Sequence, residues 1–121
     1  MNTEIPPILV IEDDPEMRPL IARMLSATGH SAVTAGNREE ALEIVRTAEP
    51  KPRIAIIDFI LPDTSGKDLA TEIRTILPGI SIVFITGYPA EALDLFPLND
   101  ALILLKPFNL TQLQETISRL A

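Results

Sequence analysis

Apolar residues along this chain follow two rhythms that alternate from one end to the other. The first is a set of short apolar runs: Ile8 to Ile11, Ser31 to Ala35, Ile54 to Ile57, Ile80 to Ile85 and Ala101 to Leu105. Three are apolar almost throughout, as strands buried on both faces of a parallel sheet are. The second rhythm is helical. Met17, Leu20, Ile21, Met24 and Leu25 make one stripe, Ala41, Leu42, Val45 and Ala48 a second, Leu69, Ile73, Ile76 and Leu77 a third, and Leu110, Leu113, Ile117 and Leu120 a fourth. A further helix is expected around Pro89 to Phe96, where the pattern is short and weak. Asn37 with Glu40, Ser65 with Asp68 and Asn109 with Gln112 are spaced as N-caps with their N3 partners, and Gly29 and Gly79 stand where helices should end. Pro19 removes an amide early in its helix, which predicts a distortion there or a later start. Glu49-Pro50-Lys51-Pro52 reads as a rigid loop, and no repeat or interdomain linker is evident. Five strands alternating with five helices predict an α/β fold, a doubly wound parallel sheet with right-handed crossovers, forming one domain over residues 1–121.

Composition narrows the function classes. With 46% hydrophobic and 4% aromatic residues in 121, the chain has the make-up of one ordinary globular domain packed with aliphatic side chains. A formal charge of −7 is the wrong sign for a nucleic-acid or anionic-membrane surface. The absence of cysteine excludes disulfides and thiolate metal sites. MNTEIPP lacks the features of a signal peptide and no apolar run reaches spanning length, so the expectation is a cytoplasmic protein.

In an open parallel sheet, ligands bind beyond the carboxyl ends of the strands. Glu12 and Asp13 follow the first run, Asp58 the third, Thr86 ends the fourth and Lys106 the fifth. Adjacent carboxylates raise one another's pKa unless a cation or donors offset them, so Glu12-Asp13-Asp14 calls for positive charge nearby. Carboxylate oxygens suit Mg2+, which works through one or two carboxylates beside a phosphate. An Asp in that setting can attack phosphorus to form an acyl phosphate, with Lys106 and Thr86 bonding phosphoryl oxygens. Asp14, before Pro15, and Asp63 read as cap or turn residues, and His30, the only histidine, as a loop residue after Gly29.

ILVIEDD, IIDFILPDTSG, FITGY and LLKPF, in that order and each at a strand end, resemble from end to end the receiver domain of two-component response regulators. The resemblance implies a flavodoxin-like (βα)5 fold with strand order 2-1-3-4-5. It implies Asp58 as phosphoacceptor, Asp13, Asp58 and the backbone carbonyl of Ile60 as Mg2+ ligands, Glu12 acting through metal-bound water, and Thr86 and Lys106 as phosphate contacts. Lys106-Pro107 corresponds to a bond that is cis in this family. The implied role is regulatory: a domain that is not an enzyme on external substrates but assists its own phosphorylation and dephosphorylation. Its partners would be a sensor histidine kinase or phosphotransfer protein upstream and a protein target or fused output domain downstream, with a homodimer left open. One departure stands out: receivers usually carry an aromatic residue three positions before the lysine, and here that switch position is Ile103. Tyr88, two residues after Thr86, is an aromatic near the site, and Thr-Gly-Tyr without a later aromatic marks a subset read as a variation of output.

Rival readings fare worse. A flavodoxin-type electron carrier needs an anion-binding loop after the first strand, where Glu12-Asp13-Asp14 would repel phosphate. A phosphatase with an Asp nucleophile commonly has a second acid two residues later, where this chain has Ile60. A receiver-like interaction module that is not phosphorylated is disfavoured by the complete residue set. The chain closes just after its last helical stripe, which is compatible with a stand-alone receiver or with a piece of a longer protein.

Overall fold

The structure, a computed structural model, describes residues 5–89 and 93–120. Each of the five apolar runs forms a strand: β1 (Ile8–Ile11), β2 (Ala32–Ala35), β3 (Ile54–Asp58), β4 (Ser81–Thr86) and β5 (Leu102–Leu105). They pair in parallel as a single sheet in the order β2-β1-β3-β4-β5. The chain steps outward from β1 to β2 and returns to the other side of β1 at β3, so the switch point of the topology lies between β1 and β3.

Among the described residues there are four helices: α1 (Met17–Ala27), α2 (Arg38–Thr47), α3 (Gly66–Ile76) and α4 (Leu110–Ser118). The additional helix expected around Pro89 to Phe96 is a correction. Residues 90–92 lie outside the described residues, and Leu93 to Phe96 are not helical. Pro97 follows the stretch and disfavours helical backbone at the residue before it, Phe96.

Alternate strand residues point to opposite faces and supply two separate apolar layers. Leu9, Ile11, Ile57 and Phe84 pack with Leu42 and Val45 of α2 and Leu69 and Ile73 of α3. Ile8, Val10, Val83, Ile85 and Leu104 pack with Ile21 and Leu25 of α1 and Leu113 and Ile117 of α4. None of the described helices is long and apolar enough to cross a membrane.

The helix ends follow local chemistry. Asn37 and Ser65 cap α2 and α3 by accepting from the amides of Glu40 and Asp68 at 2.9 and 3.0 Å, and Asn109 with Gln112 forms a reciprocal capping box with both bonds at 2.8 Å. Past α1, Gly29 takes φ +87°, and the amide of His30 reaches back to the carbonyl of Leu25 at 3.0 Å. Gly79 plays no such part: α3 stops at Ile76, two residues ahead of Pro78, and Gly79 lies in the turn before β4 without a positive φ. Pro19 falls in the first turn of α1, where amides have no intrahelical acceptor to lose.

α3 starts hard against the end of β3. The Gly66 amide donates to the carbonyl of Phe59 at 2.8 Å. A methyl group on Gly66 would overlap the carbonyl oxygen of Asp58 and come within 2.8 Å of the Phe59 Cα, backbone atoms that cannot swing aside. Urea unfolding should therefore separate two substitutions. Asn109→Ala loses a cap worth about 1 kcal/mol, whereas Gly66→Ala should cost roughly 2 kcal/mol or more through backbone overlap. An equal or smaller loss for Gly66→Ala would contradict the close approach.

Candidate functional site

Because the strands are parallel, every residue that follows one leaves the sheet at the same edge. Glu12 extends β1 by one residue, its amide still donating to the carbonyl of Ala35 at 3.1 Å. Asp58 and Thr86 end β3 and β4, and Lys106 follows β5 with its amide bonded to the Thr86 carbonyl at 2.7 Å. The Lys106 ammonium stands 3.2 Å from Oε1 of Glu12 and 3.2 Å from Oδ2 of Asp58. One carboxylate oxygen from each of Glu12, Asp13 and Asp58 lies within 4.8 Å of the others. Residues spread from position 12 to position 106 thus meet across the switch point.

Burial grades the three acids. Glu12 is only 1% exposed and Asp58 8%, whereas Asp13 faces solvent. Asp58 is oriented from both sides, Oδ1 accepting from the amide of Ile60 at 3.1 Å and Oδ2 facing Lys106. Glu12 has its second oxygen, Oε2, buried with no hydrogen-bond partner among the described residues. Burial, followed by the neighbouring Asp58 carboxylate, raises the Glu12 pKa from 4.5 to about 7, against the lowering pull of Lys106. Burial alone lowers the Lys106 pKa, but Asp58 and Glu12 outweigh it and the net shift is upward. Lys106 offsets part of this gathered negative charge. The orphaned Oε2, the hard-oxygen donor set and the unbalanced charge are all suited to a small divalent cation.

Thr86 is buried, and its hydroxyl oxygen accepts from the Tyr88 amide at 3.1 Å, which leaves the hydroxyl hydrogen free to donate. Ile60 is exposed on the loop after β3, and Tyr88 is exposed beyond β4. Ile103 is half-buried against the α2/α3 layer, so its side chain lies among apolar neighbours. The Lys106–Pro107 bond is cis, as are Glu49–Pro50 and Phe96–Pro97.

The two remaining acids of these loops do local work. Asp14 accepts from the amides of Glu16 and Met17 at 2.9 and 3.4 Å, and Asp63 accepts from the Arg38 amide at the start of α2 at 3.3 Å. Reasoning from sequence missed Arg18, whose guanidinium donates to the Glu12 carbonyl at 2.9 Å. The available signal was a cation one helical turn past an acidic run.

Comparison with known proteins agrees with the geometry. The family model described as response regulator receiver domain matches residues 8–118. The response regulator receiver protein CpdR of Brucella abortus is 34% identical over 115 residues, 93% of this chain and 94% of CpdR. The sensor kinase CckA of the same organism is 31% identical over 93% of this chain, which spans only 12% of CckA. Among solved structures, the response regulator TrrA of Thermotoga maritima, in complex with Mg2+-BeF, superposes with a TM-score of 0.84 at 31% identity, covering 97% of this chain and 100% of that one.

The Glu12 shift carries a sign for stability. Between its ordinary value of 4.5 and its folded value of about 7, the folded chain keeps a proton that the unfolded chain releases. Stability of the metal-free protein therefore falls as pH rises through that window and levels off above it, by up to about 3 kcal/mol from this group. Thermal melts in chelator should show Glu12→Gln more stable than the wild type at pH ~8 and not at pH ~4.5, since the amide carries no charge to bury. Parallel curves for the two proteins across this range would rule out a buried, strained Glu12.

Proposed function

This chain belongs to the response regulator receiver domains, which carry signals by phosphorylation, and on that premise we propose that Asp58 is its phosphoacceptor. The observation that carries the reading is the convergence of Asp58 with Lys106, Glu12 and Asp13 at the sheet's switch point. Asp58 attacks the phosphorus of a phosphohistidine on a histidine kinase or phosphotransfer protein. The new O–P bond forms as the N–P bond breaks, and the donor imidazole departs with the electron pair. Lys106 and the free hydroxyl hydrogen of Thr86 then bond the phosphoryl oxygens, in a crevice where charge-assisted bonds are strong. Asp13, Asp58 and the Ile60 carbonyl would hold Mg2+ directly and Glu12 through water. That cation supplies the positive charge that lets a phosphoryl group approach three carboxylates. The Mg2+-BeF complex of TrrA supports this assignment.

Phosphorylation draws Thr86 and Lys106 toward the new group and so away from the Tyr88 amide, Glu12 and Asp58. The segment after β4 feels this first, because it begins at the Thr86–Tyr88 bond. With Ile103 in place of a ring, output runs through this backbone link. Tyr88 and Phe96 on the segment after β4, and Leu105 on β5, are exposed and available to a downstream partner, whether a separate protein or an attached output domain. We read residues 1–121 as one receiver domain that assists its own phosphorylation and dephosphorylation.

Intact-mass measurement after incubation with acetyl phosphate and Mg2+ should show one added phosphoryl group on the wild type and none on Asp58→Asn. Labelling should fall at least ~10-fold in Asp13→Ala and stay near wild type in Asp14→Ala, because Asp14 holds the turn before α1 through the Glu16 and Met17 amides. Equal labelling of the wild type and Asp58→Asn overturns the acceptor, and equal losses at Asp13 and Asp14 overturn the ligand set.

A further inference from the structure

The acidic pair is held by more than its own strand. The Glu12 amide is fixed by the Ala35 carbonyl at 3.1 Å, and the Glu12 carbonyl accepts from Nη1 of Arg18, in the first turn of α1, at 2.9 Å. That carbonyl belongs to the peptide unit joining Glu12 to Asp13. Fixing it sets the direction in which the chain leaves the buried Glu12 and presents the exposed Asp13.

The guanidinium reaches this carbonyl by passing over Gly36, in the loop after β2. A methyl group on Gly36 would overlap Nη1 of Arg18 and lie 3.2 Å from Cζ. Gly36 has no positive φ, so its backbone conformation does not require glycine. What the absent side chain provides is a seat for the Arg18 guanidinium. The obstructed atoms are the tip of a flexible side chain, so a methyl there displaces Arg18 and spares the fold.

We propose that Arg18 is a positioning residue: seated on Gly36, its guanidinium locks the Glu12–Asp13 peptide and so sets the two carboxylates in register for a divalent cation. The proposal rests on the reading of this cluster as a Mg2+-dependent phosphoacceptor site, and it concerns this chain's own residues. An arginine suits the task because its planar fork holds one fixed direction, which a lysine ammonium does not. Arg18 touches neither the acceptor carboxylate nor the phosphoryl group. It acts through Glu12, as outer partners of metal ligands do when they orient them.

Mg2+ titrations followed by amide NMR of the intact chain test this, with urea midpoints measured alongside. Arg18→Met should weaken Mg2+ binding about 10-fold, Arg18→Lys should recover only part of it, and Gly36→Ala should match Arg18→Met. The double variant should be no worse than Arg18→Met alone, because both changes remove one contact. Arg53→Met, which removes an exposed cation at the opposite edge of the sheet, should bind as the wild type does. Wild-type affinity in Arg18→Met and Gly36→Ala overturns the proposal, as do losses that add, or a lowered urea midpoint with unchanged affinity. Should Arg18→Met fail to fold, Arg18→Lys and Gly36→Ala still decide it. A wild type that binds no Mg2+ instead overturns the reading of the site itself.

Discussion

Like charge gathered at one edge of a sheet has to be held against its own repulsion, and the architecture of this chain is arranged around that requirement. Parallel strands send Glu12, Asp58, Thr86 and Lys106 out at a single edge. The switch point between β1 and β3 opens a crevice there, and Lys106 arrives from the end of β5 to face two of the acids. One ammonium does not offset three carboxylates, and the residue that suffers is the one most deeply buried. Glu12 keeps an unpartnered oxygen and a raised pKa. A site left in this condition is poised to take up a cation, since the ion relieves a cost that folding has already met.

Much of this was legible in the sequence because the signals were redundant. Each strand carried its own apolar run, and the caps at Asn37, Ser65 and Asn109 were spelled out by residue type and spacing. The site could be assembled on paper because parallel topology makes the end of a strand a location as well as a boundary. Other features had no comparable signature. Glu12, Asp13 and Asp14 are adjacent acids, yet one is buried, one lies exposed in the acidic cluster and one accepts the Glu16 and Met17 amides in the turn before α1. Their difference is set by where β1 stops pairing, which one chain in isolation does not announce. The tie from Arg18 across Gly36 was equally hidden, because it joins loops that meet only once β1 and β2 have paired.

The stretch between β4 and β5 shows where local pattern runs out. Its described part from Leu93 to Asp100 forms no helix and is held from outside by α3. Lys67 donates to the Asp94 carbonyl at 3.0 Å, and Arg74 bonds both oxygens of Asp100 while also reaching the Ile80 carbonyl. These tethers end on acids that are largely exposed, and such pairs are individually weak. The stronger anchor is apolar: Leu98 and Ala101 are buried in the α2/α3 layer with Leu95 packed beside them, so any movement of the segment that begins after Thr86 has to carry or release that contact.

The two apolar layers also differ in when they can be completed. The layer containing α2 and α3 draws most of its residues from the middle of the chain. The other closes only when α1, first in the sequence, is joined by α4, last among the helices. During synthesis on the ribosome, Val10, Val83 and Ile85 have no cover from Leu113 and Ile117 until the final helix has emerged. The nascent protein therefore passes through a stage with one face largely complete and the other covered by α1 alone. In that interval it is open to chaperones and to association with other unfinished chains.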